Sequence, residues 1–454
     1  MSAFKAYDIR GVYGTDFDAA TVHRIGRCLP GLLGARRVLV GRDARLSSPA
    51  MRDALVRGLT EAGCAVDDLG LCTTPMVYYF TAIDGYDASV QITASHNPAA
   101  YNGLKISRRE AVPVGYDTGL AELERRIGAD LPPPAAPPGA CRPIDRTAAF
   151  LAFLRTWLPD LSGLRLAVDC SDGMASLLVH ELFGAGTVYL NDTPDGRFPH
   201  HAPNPLEVEN CAALMAAVKA HRCDAGVIFD GDADRVMFID ETGAFIQPDL
   251  LIPIIARRFL RTEPGARVIH DIRTSRGAIE ALRADGAEPV IGKVGHVFAK
   301  ILLRACGAVC GGELAGHYYF RDFCCCDSGE LAALIVLGEL ATARRRGDTF
   351  SGLIAPIRRY ATTGEVNFRV ERKDDAIRAV RAAAEAHGPP TTVYDFDGLR
   401  LEFTEWWVSV RPSNTEPYLR LIIEAATPDT LAARRAELEA ALAPFLISRR
   451  PAHG

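Results

Sequence analysis

The chain has 454 residues, too many for one hydrophobic core, and at roughly 150 residues per domain it divides into three or four. Its 48% hydrophobic and 24% charged residues are those of an ordinary globular protein, and a net charge of -5 gives no ground for a nucleic-acid partner, so any anionic ligand must be met by local cations. The opening residues, Met1 to Asp8, carry charges where a secretory signal needs an apolar stretch, and no later apolar run approaches the roughly 18 residues of a membrane span; a cytoplasmic protein without a membrane partner is expected.

Tyr7-Asp8-Ile9-Arg10-Gly11 is a polar turn with one arginine, and Arg36 to Asp43 reads as a short apolar strand ending in a Gly-Arg-Asp turn. Ser48-Pro49 then predicts a helix to about Ala62, with Ser48 as cap and Pro49 in the first turn. Strands are expected over 65–71 and 88–93, with Thr74-Pro75 opening a helix between them. This alternation argues for a parallel α/β sheet. The proline-rich run 132–139 has too few backbone donors for a helix or central strand and reads as an extended linker at a domain boundary. The pattern restarts with a strand over 164–169, helices over 174–183 and 210–221 and a strand over 225–229. It restarts again from Pro248, with strands over 267–270 and 289–291 and a helix over 276–285. Three βα units in series suggest three related domains, without a residue-level repeat to prove duplication. Strand-like 365–370, 399–403 and 407–410, with helices over 375–387 and after Pro428-Asp429, point to a small antiparallel α+β domain at the end. Twelve scattered cysteines without a C-x-x-C pair are expected to be reduced structural thiols.

Four stretches carry chemistry. Ile92-Thr93-Ala94-Ser95-His96-Asn97-Pro98 places a hydroxyl beside an imidazole where a strand ends, the edge of an open parallel sheet at which ligands bind. An ordinary hydrogen-bonded turn would read the same in isolation. Asp230-Gly231-Asp232-Ala233-Asp234-Arg235 sets three carboxylates at alternate positions, oxygen ligands suited to Mg²⁺ or Ca²⁺. An EF-hand would use Asp230, Asp232, Asp234 and Glu241, but it needs glycine where Arg235 stands and helices where both flanks are β-like. Gly311-Gly312-Glu313-Leu314-Ala315-Gly316-His317 exposes a carboxylate and an imidazole able to hold two sugar hydroxyls, and upstream Lys293 and His296 offer further contacts or a solvated turn. Arg411-Pro412-Ser413-Asn414-Thr415-Glu416-Pro417 leaves a strand with one cation and several donors, an anion site rather than a nucleotide loop of the G-x-x-x-x-G-K-[ST] type.

Together with Gly41-Arg42-Asp43, Asn102-Gly103-Leu104-Lys105 and Pro203-Asn204-Pro205, these motifs resemble those of the α-D-phosphohexomutases, in particular the bacterial phosphomannomutase/phosphoglucomutase group. The resemblance runs over nearly the whole chain. It implies three mixed α/β domains and a C-terminal α+β domain around a central cleft, here expected at 1–139, 140–244, 245–355 and 356–454. It implies that Ser95 is the phosphoserine, that Asp230, Asp232 and Asp234 bind Mg²⁺ beside it, and that Glu313 contacts sugar hydroxyls. Arg411, Ser413, Asn414 and Thr415 would hold the phosphate that is not transferred. Arg10, Lys105, Arg235, Lys293, His296 and His317 would complete the cleft, with Lys105 and His317 as candidates for proton transfer. Many relatives have serine where this chain has Ala315, and Asp169-Cys170-Ser171-Asp172-Gly173 replaces a commoner Asn-Gly ending, a change expected to lie away from the chemistry.

The expected reaction is reversible interconversion of hexose 1-phosphate and hexose 6-phosphate through a hexose 1,6-bisphosphate, which also serves as activator. Small-molecule hexose phosphates would be the partners. The alternatives are a phosphoglucosamine mutase, whose phosphate loop usually has Gly at the place of Asn414; a metal-dependent phosphatase; and a sugar-phosphate binding protein without catalysis.

Overall fold

The computed structural model describes residues 3–131, 133–413 and 418–447. Among these the chain builds four sheets, and the first three repeat one plan. In the first, Arg37–Arg42 runs parallel between Ala65–Leu71 and Ala88–Ile92. Tyr101–Arg108 then adds antiparallel beside Ala88–Ile92, and Ile9–Val12 antiparallel beside that. In the second, Leu166–Asp169 lies parallel between Val188–Leu190 and Ala225–Phe229, followed by antiparallel Val236–Asp240 and Phe245–Ile246. In the third, Arg267–Asp271 lies parallel between Glu288–Gly292 and Cys310–Gly312, followed by antiparallel Tyr318–Phe320 and Cys326–Asp327. The relationship that residue comparison could not prove is therefore explicit in strand order.

The shared plan has one consequence for function. Where the third parallel strand hands over to its antiparallel neighbour the chain must reverse at once, and that reversal falls at the carboxyl end of the parallel strands. It is made by residues 93–100, 230–235 and 313–317 in the three sheets. Each holds one of the chemistry-bearing stretches.

Local sequence explains most elements, with some adjustments. The second helix spans Ser48–Glu61 with Pro49 in its first turn, but its N-cap is Ser47 and makes no side-chain cap bond. The Ser48 hydroxyl instead donates to Asp43 Oδ1 at 2.6 Å. Helix Thr74–Ile83 is capped by Thr73, whose hydroxyl accepts from Met76 N. The helices expected over 174–183 and 210–221 are each broken into a 3₁₀ turn and an α-helix, Met174–Leu177 with Val179–Phe183 and Val208–Cys211 with Ala212–Ala220. The proline-rich run is not a free tether: Ala135 N and Gly139 N donate to Glu61 O and Thr60 O, and Cys141–Pro143 then joins the first sheet parallel to Ala65–Leu71. Helix Gly329–Arg345 is buried round most of its circumference, as expected of a helix without a polar face.

One apolar core runs through the first three units, from Met76, Tyr78 and Phe80 through Phe150, Phe229 and Phe238 to Leu251 and Leu334. The last unit has its own core around Val380, Val408, Leu421 and Leu438. Its sheet is antiparallel, in the order Ala361–Thr362, Tyr418–Ala425, Trp406–Pro412, Leu399–Glu402, Thr392–Tyr394, backed by helices Lys373–Glu385 and Pro428–Leu442. All twelve cysteines are unpaired, and no helix among the described residues is long and apolar enough to cross a membrane.

Candidate active site

Ser95 follows the buried strand Ala88–Ile92 and adopts a left-handed backbone, φ 50°. Its N–H donates to Thr93 Oγ1 at 2.8 Å, and its hydroxyl donates to Asp230 Oδ2 at 2.6 Å. His96 Nδ1 lies 3.3 Å from the same hydroxyl. Burial and the charges of Arg235, Arg10 and Lys105 hold the His96 imidazole well below its usual pKa. Arg10 reaches across from its edge strand to donate to Asn97 Oδ1 at 2.8 Å and pairs with Asp8. The hydroxyl found at a strand end in the sequence thus faces the acidic loop of the next unit.

Asp230, Asp232 and Asp234 are all fully buried, with carboxylate oxygens within 4.8 Å of one another. The strands flanking the loop, Ala225–Phe229 and Val236–Asp240, rule out an EF-hand. Lys105, on the strand after Ser95, donates to Asp232 Oδ2 at 2.7 Å and also pairs with Asp234. Thr74, at the start of its helix, donates its hydroxyl to Asp232 Oδ2 at 2.5 Å and its N–H to Asp232 O. Arg235 donates its backbone N–H to Asp230 Oδ1, with its guanidinium 3.9 Å from Oδ2. Burial works against ionisation of Asp232, but Lys105 and Thr74 hold it below the usual carboxylate range. Asp230 has only the more distant Arg235 guanidinium as a cationic partner, and burial together with the charges of Asp232 and Asp234 drives it well above that range.

This imbalance tests the fit of a cation. Asp232 Oδ1 and Asp234 Oδ1 are buried and accept no hydrogen bond, a costly state unless something positive completes them. A set made of carboxylates alone suits a hard cation of the Mg²⁺ class. The residues therefore fit a divalent metal.

The third loop meets the second through backbone pairing of Arg235 with His317. His317 Nδ1 lies 2.7 Å from Asp327 Oδ2 and 3.6 Å from Asp234 Oδ1, and Asp327 is paired in turn with fully buried Lys300 at 2.7 Å. Burial opposes ionisation of Asp327, yet Lys300 and His317 keep it well below the usual range. Glu313 is buried, accepting from Gly295 N at 2.6 Å and from the Tyr319 hydroxyl at 2.5 Å. Each of its oxygens keeps one lone pair for a further donor. Gly295, φ 124°, has the Tyr7 ring against its Cα, where a Cβ would come within 2.5 Å. His296 is buried with both ring nitrogens unpartnered, and Lys293 is exposed beside the Phe298 ring. Lys293-Val294-Gly295-His296 is thus a built connection rather than a solvated turn. Ala315 lies in the turn that Gly316 N closes onto Glu313 O.

In the last unit Arg411 is on a strand, because Trp406–Pro412 extends two residues further than its apolar pattern suggested. Its guanidinium donates to Asp397 Oδ1 at 3.0 Å, and Asp397 Oδ2 accepts from Val294 N at 2.8 Å, tying this unit to the third. Ser413 is buried, and its carbonyl accepts from Lys373 Nζ at 2.5 Å. Asn414 and Thr415 lie outside the described residues. The Asp169 to Gly173 segment proves to be close to the chemistry: Met174 N donates to Gly231 O, and a Cβ on Gly173 would meet that oxygen at 2.7 Å.

Sequence reasoning passed over Thr74, Asp327, Lys300 and Asp397. Thr74 was legible only as a helix start, and the others lie on elements brought in by the tertiary fold.

Residues 1–131, 153–243 and 247–360 match the families described as phosphoglucomutase/phosphomannomutase alpha/beta/alpha domains I, II and III, and 365–441 match its C-terminal domain. A phosphomannomutase of Escherichia coli is 36% identical over 95% of this chain and 96% of its own length. A protein of Xanthomonas campestris pv. campestris described as phosphohexose mutases is 38% identical over 93% and 95%. The crystal structure of a phosphoglucomutase/phosphomannomutase family protein from Burkholderia thailandensis superposes with a TM-score of 0.88 at 32% identity, covering 97% of each chain. Domain for domain and over almost its full length, the chain belongs to the phosphoglucomutase/phosphomannomutase family and is a phosphohexomutase, an enzyme of the isomerase class.

Proposed function

We propose that this mutase interconverts the 1- and 6-phosphates of mannose and of glucose, with Ser95 carrying the phosphoryl group between them. The observation that carries this reading is the 2.6 Å contact of Ser95 Oγ with Asp230, inside a buried carboxylate wall backed by fixed cations. Asp230, Asp232 and Asp234, with an oxygen on Ser95, would hold Mg²⁺, which when bound neutralises charge on the phosphoryl group.

In the first transfer a hexose hydroxyl oxygen bonds to phosphorus, the bond to Ser95 Oγ breaks, and the hydroxyl proton passes to a base. Lys105, engaged by two carboxylates, is suited to act as a fixed cation with Arg235 and Arg10. That leaves His317, oriented by Asp327, to take the proton. The resulting 1,6-bisphosphate turns over, Ser95 Oγ attacks the phosphate at the other end, and the isomeric monophosphate leaves. Such a cycle needs one site that grips either phosphate. Arg411 and Ser413, with Asn414 and Thr415, fill that role, while Glu313, Lys293 and His296 meet the sugar and its phosphate.

A coupled assay with mannose 1-phosphate, glucose 1-phosphate and N-acetylglucosamine 1-phosphate tests the reading. Turnover of the first two, dependent on a catalytic bisphosphate, is expected. Free phosphate as the main product would indicate a phosphatase, and preference for the third substrate would indicate a glucosamine-type mutase.

A further inference from the structure

The geometry points to Arg45 as the positioning residue for the Ser95 loop, sealed in place from the second unit by Phe198; this rests on the reading of Ser95 as the phosphoryl carrier. Arg45 is fully buried, and every N–H of its guanidinium has an acceptor. Nη2 donates to Ser95 O at 2.8 Å and Asn97 O at 2.6 Å, Nη1 to Pro98 O at 2.7 Å and Tyr101 O at 3.0 Å, and Nε to Asp43 Oδ2 at 3.1 Å. One side chain thus gathers three carbonyls of the loop that presents the nucleophile and the first carbonyl of the strand that follows it. Asp43 is itself held by Arg45 N and the Ser48 hydroxyl, and Ser48 by Asn102. A lysine could not replace this fan, since three donors on one nitrogen cannot span four separated carbonyls and a carboxylate.

The second observation is independent of the first. Phe198 lies with its ring 4.9 Å from the Arg45 guanidinium carbon and has φ 49°, a left-handed backbone that a bulky aromatic residue rarely adopts. Gly196, two residues earlier, is pressed so tightly on the first unit that a Cβ would fall 2.2 Å from Ala44 O. Ser95 also has a left-handed backbone, φ 50°. Strained residues persist where their surroundings over-determine them, often where a reacting group must be aimed. Here Arg45 joins the two: on one side it fixes the carbonyl of Ser95, whose hydroxyl points at Asp230, and on the other it is covered by Phe198. A residue that holds the nucleophile but touches no substrate governs turnover rather than substrate affinity.

The test uses full-length wild type, Arg45→Lys, Phe198→Ala and Phe198→Tyr, with saturating glucose 1,6-bisphosphate. kcat and KM for glucose 1-phosphate are measured, with phosphate on Ser95 followed by intact mass. Misplacing a reacting group by about 1 Å is enough for a roughly hundredfold loss, so Arg45→Lys is expected to lower kcat about a hundredfold with KM within about threefold. Phe198→Ala is expected to lower kcat about five- to tenfold, again without KM, and Phe198→Tyr to restore it, since a tyrosine ring covers the cation as well. If Arg45→Lys does not fold, the Phe198 pair decides. Variants with wild-type kcat, or with KM rising in proportion as kcat falls, overturn the role of Arg45. Wild type that turns over without phosphate on Ser95 overturns the reading of Ser95 itself.

Discussion

Lys105 Nζ of the first unit lies 2.7 Å from Asp232 Oδ2 of the second, with both side chains almost wholly buried. The interdomain contact and the candidate metal site are therefore one electrostatic object. The ammonium compensates two of the three carboxylates and leaves the third, Asp230, to Ser95 and whatever cation the site admits.

Replacing Lys105 with Met should leave Asp232 and Asp234 uncompensated, and loss of one partner of a buried pair costs about 3–5 kcal/mol. The variant should melt lower than wild type in chelator and recover more of that loss when Mg²⁺ is added. Thermal melts with and without Mg²⁺ measure both effects. Equal Mg²⁺ responses in the two proteins would separate the ammonium from the metal site.

Ser95→Ala removes the hydroxyl that donates to Asp230. Turnover should vanish, and incubation with glucose 1,6-bisphosphate should add no phosphoryl mass to the variant while adding one to dephosphorylated wild type. Near-normal turnover in the variant would remove Ser95 from the mechanism.

Arg411→Ala should raise KM for mannose and glucose phosphates alike, because a charge-assisted contact to phosphate is worth about 1.5–3 kcal/mol, roughly ten- to a hundredfold. Asp397→Asn keeps the acceptor for Val294 N but weakens the hold on Arg411, so it should raise KM less. Steady-state kinetics on both sugars decide, and an effect confined to one sugar would show that Arg411 reads the sugar rather than its phosphate.

Asp249 offers a pH prediction away from the metal loop. Burial, aided by Glu424 and Asp271 against the N–H of Ser275, pushes its carboxyl up to about 7 from 3.8. The folded state therefore holds a proton that the unfolded chain releases between these values, so the contribution of Asp249 to stability is fully present below 3.8 and is lost as pH rises towards 7. In Asp249→Asn this contribution is absent. The fall in melting temperature between pH 5 and pH 8 should be smaller in the variant than in wild type, and an unchanged fall would assign it to other groups.

The candidate nucleophile and the metal-type loop were legible because each is a short run of residues whose spacing suggests its chemistry: a hydroxyl after an apolar strand, three aspartates at alternate positions. The restarts of the βα pattern announced related units for the same reason, since hydrophobic period is a local property. Strand order was not legible, because the addition of Ile9–Val12 beside Tyr101–Arg108 depends on pairing across some ninety residues rather than on either segment alone. Nor was the extent of the strand carrying Arg411, where pairing with Tyr418–Ala425 carries the ladder through a proline. Asp327, Lys300, Asp397 and Arg45 stayed silent as single charged residues without a motif, since a charge acquires meaning only from what burial places beside it. Residue chemistry determined what could react in this protein; the packing of four sheets decided which carboxylate meets which cation, because electrostatics acts through space and the chain order does not record it.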